Sequence, residues 1–399
     1  MQKKLIAAAV AGALGIPAVA FAQNATVNVS GRVYLEYGHV QTGSQRAGLA
    51  VSNIVNPDTI QTPGSNLTFQ GEEKLGGGLS AWFRCETSMD VRGTASTDSL
   101  CQRNSGLGFR GGFGNVFAGN WHTPFALARI TTGGNETGHF GTATLLTGHS
   151  TTIADGSTAG LFARRQNNLI SYHTPSISGF QGMLAYSAVN AQTATQDAVV
   201  NKKPRLWSLA ATYKNGPLNL SAAYERHNDS YVNGTGGATG TTAIGATAAT
   251  QAGDETGWLL GASYRFAGKV TFGGMYTRQK AEVAGLNSRV NAWQLGVDWS
   301  LGGPHSIKAA YTNAGDHKGT STVLQRRPAV VATNDNGAQM YQARYFYAFS
   351  KRTDFSVGFN HLKNEDNAGY RINALGGSGA GGQLGAKHTA YAMAFDHRF

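Results

Sequence analysis

The chain has 399 residues, 54 of them glycine, with 14% charged residues and a formal net charge of +11 from 33 Lys+Arg against 22 Asp+Glu. Beyond residue 22 no apolar run approaches 18 residues, which excludes a bundle of membrane-spanning helices, and two cysteines exclude a cysteine-rich zinc module or a disulfide scaffold. An acid-poor chain rich in Gly, Thr, Ser and Asn suits strands separated by many turns.

Met1–Ala22 reads as a secretory signal peptide. Lys3 and Lys4 supply the positive start, Leu5–Ile16 the apolar stretch, and Ala20-Phe21-Ala22 the small-residue cleavage pattern before Gln23. Residues 23–399 then form one domain, exported to a compartment that permits a disulfide. From Ala25 the chain alternates: Val27, Val29, Val33, Leu35 and Tyr37 share one face, and Asn28, Ser30, Arg32, Tyr34 and Glu36 the other. Period two over a dozen residues predicts a strand. The same register recurs in Leu218/Leu220/Ala222/Tyr224, Trp258/Leu260/Ala262/Tyr264/Phe266, Trp293/Leu295/Val297/Trp299/Leu301 and Phe355/Val357/Phe359.

The connections alternate as well. Tight turns fall at Lys74–Gly78, Gly111–Gly114, Thr174–Gly179, Lys214–Pro217, Ala267–Lys269, Leu301–His305 and Ser350–Thr353. Longer polar stretches fall at about 41–64, 90–100, 122–163, 190–203, 229–254, 281–288, 315–338 and 364–386. Seven short turns and eight long loops predict a sixteen-stranded antiparallel transmembrane barrel with short periplasmic turns and long extracellular loops. Closure satisfies every backbone group without an edge. A soluble sandwich would also alternate, but has no reason to segregate short from long connections. Nor would it gather aromatic residues near strand ends, as at Tyr37, Tyr264, Tyr345 and Tyr347.

Several stretches resemble the general porins of Gram-negative bacteria, especially the β-proteobacterial branch. Ser65-Asn66-Leu67-Thr68-Phe69-Gln70-Gly71-Glu72-Glu73-Lys74-Leu75-Gly76-Gly77-Gly78-Leu79 resembles that family's second strand, first turn and start of the third strand. Phe113–Gly119 resembles the turn into strand five, and Ser350-Lys351-Arg352-Thr353 the last periplasmic turn. The ending, with alternating Tyr391, Met393 and Phe395 and a terminal Phe399, resembles the signal that the barrel-assembly machinery reads. The resemblance implies a homotrimer of barrels embedded in outer-membrane lipid and lipopolysaccharide. Each barrel would carry a water-filled pore for passive diffusion of small hydrophilic solutes, without a cofactor. The third extracellular loop, about His122–Ala163 and the longest here, would fold inward and narrow that pore; a loop of such length calls for a functional reason.

The family sets a basic ladder on the barrel wall opposite acids on the inward loop. Carried over residue by residue, Arg103 and Arg165 fall at ladder positions. The third expected arginine is Asn66 here, and the basic residue four positions later is Gln70. Arg32 and Arg84 have lumen parity and could compensate, with Glu86 on the same face. Glu136 and Asp155 are the loop's acids. Arginines outnumber acids, so mild anion preference is expected, weakened by salt. Small outward residues, Asn104, Gly106 and Gly108, would let barrels approach at the trimer interface.

Cys85 and Cys101 flank the second long loop. A bridge is the natural reading, yet Cys85 has outward parity with Phe83 and Cys101 inward parity with Arg103. Bridging needs Cα atoms within about 7 Å, hence a bulge or a loop position at Cys101; two buried thiols or a local redox pair are the alternatives. The eleven histidines show no metal-ligand spacing, no hydrolytic constellation stands out, and no nucleic-acid motif accompanies the basic charge. The rival readings are a channel selective for organic acids or phosphorylated solutes, and a surface interaction protein anchored by its barrel.

Overall fold

In the computed structural model, described for residues 26–43, 56–93, 100–133, 138–146, 162, 164–188, 205–228, 254–283, 285–320, 334–372 and 384–399, the alternating segments pair into one antiparallel sheet. Its long strands are β1 (Thr26–Thr42), β2 (Asn66–Gly76), β3 (Leu79–Ser88), β4 (Ser105–Gly111), β5 (Gly114–His122), β6 (Arg165–His173), β7 (Phe180–Ser187) and β8 (Arg205–Asn215). They continue as β9 (Leu218–Asn228), β10 (Asp254–Phe266), β11 (Val270–Val283), β12 (Leu286–Gly302), β13 (His305–Ala314), β14 (Ala338–Ala348), β15 (Thr353–Asn364) and β16 (Lys387–Arg398). Each pairs with the next, and β1 pairs both with β2 (Arg32↔Asn66) and with β16 (Leu35↔Phe395), which closes a sixteen-stranded barrel.

The faces sort by solvent. Val29, Leu35, Trp258, Leu260, Phe266, Leu295, Trp299 and Val357 all stand exposed on the outside. A belt of large apolar side chains around a closed barrel is what contact with hydrocarbon requires. The alternate positions, such as Glu36, Ser208, Glu225, Thr277, Gln294 and Asn360, are buried toward the interior.

Two expectations change. Residues 281–288 do not form a long loop: β11 runs to Val283, β12 starts at Leu286, and Gly285 at φ 80° supplies the left-handed residue of a tight turn. The small-residue stripe also faces the other way. Gly106 pairs with Arg84 and Gly108 with Trp82, both lumen residues, whereas Leu107 and Phe109 are exposed outside. The signal-peptide segment lies outside the described residues. Two further short strands, Asp58–Gln61 on β1 and Lys318–Gly319 on β12, fold parts of the loops onto the rim.

Candidate functional site

The segment after β5 enters the barrel. Thr123 Oγ1 accepts from Ala126 N and caps a short helix, α1 (Pro124–Leu127), with Pro124 in its first turn. The described parts of the loop then follow the inner wall. Phe125 N donates to Ser208 Oγ on β8; Gln294 Nε2 on β12 donates to Thr132 O; Gly133 N donates to Asp298 Oδ1. Asn360 Nδ2 on β15 donates to His139 O. On the return, Thr277 Oγ1 and Gln279 Nε2 of β11 both donate to Leu146 O. Polar lumen side chains thus satisfy loop backbone groups that would otherwise be buried unpaired.

The wall makes room for this strap. A Cβ at Gly296 would run into the Thr132 carbonyl, and one at Gly38 would stand 2.6 Å from the His139 ring. At its middle the loop is clamped to β1. Glu36 Oε1 accepts from His139 N at 2.7 Å and faces His139 Nδ1 at 2.6 Å, and Glu36 Oε2 accepts from Tyr34 OH at 2.6 Å. Arg344 on β14 completes the clamp: its guanidinium lies over the Phe140 ring at 4.1 Å and donates to Tyr34 OH and Ser356 Oγ. A second buried group, Glu225–His227–Glu255, sits under Phe162, whose ring stacks on His227 at 4.9 Å.

The strap follows the wall from β8 round to β1. Facing it, β3 to β6 carry the basic groups. Glu86 is held from both sides, by Arg84 Nη2 at 2.8 Å and Arg103 Nε at 2.6 Å. Two guanidinium groups on one carboxylate leave a net positive charge. Arg84 also lies over the Trp121 ring, and Trp121 packs with Trp82 and Phe117 over the glycines of β4. Arg110 covers the Trp82 ring at 5.5 Å.

The expected wall residues are distributed unevenly. Arg165 Nε donates to Asn104 Oδ1 at 3.0 Å, and Asn104 contacts His122, which stands within electrostatic reach of Arg103, Arg129 and Arg165. A register shift between Gly119 and Trp121 re-aims this end of β5 and β6, with Asn168 at φ 53°. Arg32 Nε lies 2.7 Å from the buried Asp396 carboxylate, which Arg398 also contacts, and Arg398 reaches Asp354 at 3.8 Å, so here two arginines face two carboxylates. Asn66 caps Gly64 O through its amide, and Gln70 pairs across the strands with Arg84. The loop acids Glu136 and Asp155 lie outside the described residues. At the C-terminus Tyr391, Met393 and Phe395 project outward, and Phe399 exchanges both backbone hydrogen bonds with Gly31.

Cys85 and Cys101 are bridged, with Cα atoms 4.5 Å apart. The parity conflict disappears because Cys101 lies before β4 in the left-handed region, at φ 60°. The Glu36–His139–Arg344 clamp was not read from the sequence. Its visible signals are two charged residues of lumen parity, Glu36 beside Tyr34 and Arg344.

Compared with known proteins, residues 7–367 match the model of the Gram-negative porin family. Outer membrane porin protein 32 of Delftia acidovorans is 28% identical over 405 residues, covering all of both chains. An outer membrane porin protein of Bordetella pertussis is 24% identical over 321 residues, 75% of this chain and 77% of its own length. Among solved structures, the anion-selective porin from Comamonas acidovorans superposes with a TM-score of 0.70 at 26% identity, covering 94% of this chain and all of that one. The barrel of Vibrio cholerae OmpT in its trimer form superposes with a TM-score of 0.64 at 13% identity, over 94% and 100% of the two chains.

Proposed function

The chain belongs to the Gram-negative porin family, and from this premise we propose that its channel is mildly anion-selective, with Arg84, Arg103 and Arg165 as the wall of the filter. It is an outer-membrane porin for the passive diffusion of small hydrophilic solutes. The observation that carries the selectivity is the pairing of two arginines on the single carboxylate of Glu86, across the lumen from the strap. Guanidinium groups stay charged at any physiological pH, and fixed positive charge beside a narrow aqueous gap enriches anions there. The anion-selective porin from Comamonas acidovorans, similar along its whole length, supports the same sign.

Arg32 contributes less to this field, because it and Arg398 are balanced together by Asp396 and Asp354. Asn66 and Gln70 line the same wall without charge, so the positive zone is displaced toward β3–β6. We take the assembly to be a homotrimer, the form named for the Vibrio cholerae barrel. The reading carries no catalytic step, and the solute crosses unchanged. Liposome swelling tests it: rates for neutral sugars should rise in proportion to concentration and fall with solute size. Saturation, or block by one organic or phosphorylated anion at low concentration, would instead favour a substrate-selective channel.

A further inference from the structure

Cys101 stands two residues before Arg103, and the short segment between them is held by several contacts, among them Asn120 Nδ2 donating to Gln102 O at 2.7 Å. The bridge joins Cys101 to Cys85 on β3, Cys101 N donates to Thr87 Oγ1 at 3.0 Å, and Arg103 N donates to Glu86 O at 2.9 Å. Strand pairing does not provide this placement, because β4 pairs with β3 only from Gly106 onward and Arg103 lies outside it. Cys85 itself points out of the barrel, whereas Arg103 reaches in to Glu86 with its side chain 18% exposed. The left-handed backbone at Cys101 is where the chain crosses from one face to the other.

We propose that the Cys85–Cys101 bridge is a positioning element for selectivity, holding Arg103 on Glu86 at the lumen wall. The inference rests on the anion-filter reading above and adds to it a covalent determinant outside the lumen. With the bridge closed, the stretch between the two cysteines is a closed loop and Arg103 has little freedom to leave. With it open, the hydrogen bonds from Cys101 N to Thr87 Oγ1, from Asn120 Nδ2 to Gln102 O and from Arg103 N to Glu86 O, all near the surface, and one partly solvated ion pair are left to hold Arg103 without a covalent tie, while Arg84 stays on Glu86. The local balance then moves from net positive toward neutral. Opening is a two-electron step. A dithiol gives two electrons and two protons to the sulfurs, leaving two thiols on the protein, and itself closes to a cyclic disulfide.

The test uses the full-length protein in planar bilayers under a salt gradient, as wild type, C85S/C101S, R103Q and the triple variant, with a dithiol added on the loop side. Reduction of wild type and the C85S/C101S change should both move the reversal potential toward cations, by most of the shift that R103Q produces, and R103Q should not respond to reduction. An unchanged wild-type potential overturns the proposal, and so does a reduction shift that persists in R103Q. If R103Q itself leaves the potential unchanged, the filter reading fails, and the positioning claim is decided by hydrogen exchange of the Arg103 amide. That exchange should accelerate at least about tenfold on reduction as the Glu86 carbonyl contact opens; unaltered protection overturns it.

Discussion

His139 Nδ1 lies 2.6 Å from Glu36 Oε1 with both side chains fully buried, and this pair joins the middle of the inward loop to the first strand. Leaving a buried hydrogen-bonding group without its partner costs about 1–3 kcal/mol. E36A, which removes the carboxylate that both His139 N and His139 Nδ1 contact, should therefore loosen the strap locally while the barrel stays closed. Single-channel records should show larger current fluctuations than wild type, with a folded barrel in a heat-modifiability gel. A channel as quiet as wild type would show that the clamp does not restrain the loop.

The strap can yield in one direction only. A side chain at Gly296 would collide with the Thr132 carbonyl, and behind Gly296 is the barrel wall itself. G296V should push residues 130–133 toward the open lumen and lower the single-channel conductance. An unchanged conductance would contradict the seating of the loop on β12.

Trp121 belongs to the lumen, packed between Phe117 and Trp82 with Arg84 over its face. W121A should raise the conductance and leave the oligomer band of a non-boiled gel intact. Loss of that band with unchanged conductance would place this wall at a subunit contact instead.

Outside the membrane, Glu365 accepts from Gly337 N at 2.7 Å. Burial, with Asp316 and Asp335 nearby, pushes its carboxyl up from the ordinary value. A raised folded-state value means that the stabilisation is present below the unfolded carboxyl value, about 4.3, and is lost as pH rises through the folded one. E365Q keeps an oxygen for Gly337 and removes the repulsion. Exchange of the Gly337 amide should be slower in E365Q than in wild type at neutral pH, and the difference should vanish at the acid end. Faster exchange at neutral pH would mean that the carboxylate charge stabilises this loop.

The barrel was legible because lipid imposes a strict rule on alternate residues, visible at Trp258, Leu260 and Phe266 on one strand. The turn at Gly285 was hidden because Glu282, Asn287 and Ser288 have a loop's composition while continuing the strands. Counting alternation from Arg103 puts Gly106 on the outer face, whereas it pairs with lumen residue Arg84. Arg103 reaches the lumen from irregular backbone after the left-handed Cys101, so the count slips by one before β4 begins. The clamp was illegible for a different reason. Glu36 and Arg344 have recognisable lumen parity, but their partners His139 and Phe140 arrive on a loop with no period to read. The bridge left its own question open in the sequence, and backbone geometry at one residue resolves it.

A positive wall opposite a fixed inward strap should show in the reversal potential of the wild-type channel across a salt gradient, measured at low and high mean salt. A chloride-side potential is expected near 0.1 M, shrinking toward zero near 1 M as the Debye length falls from about 10 Å to about 3 Å. A cation-side potential at low salt, or none at all, would contradict it.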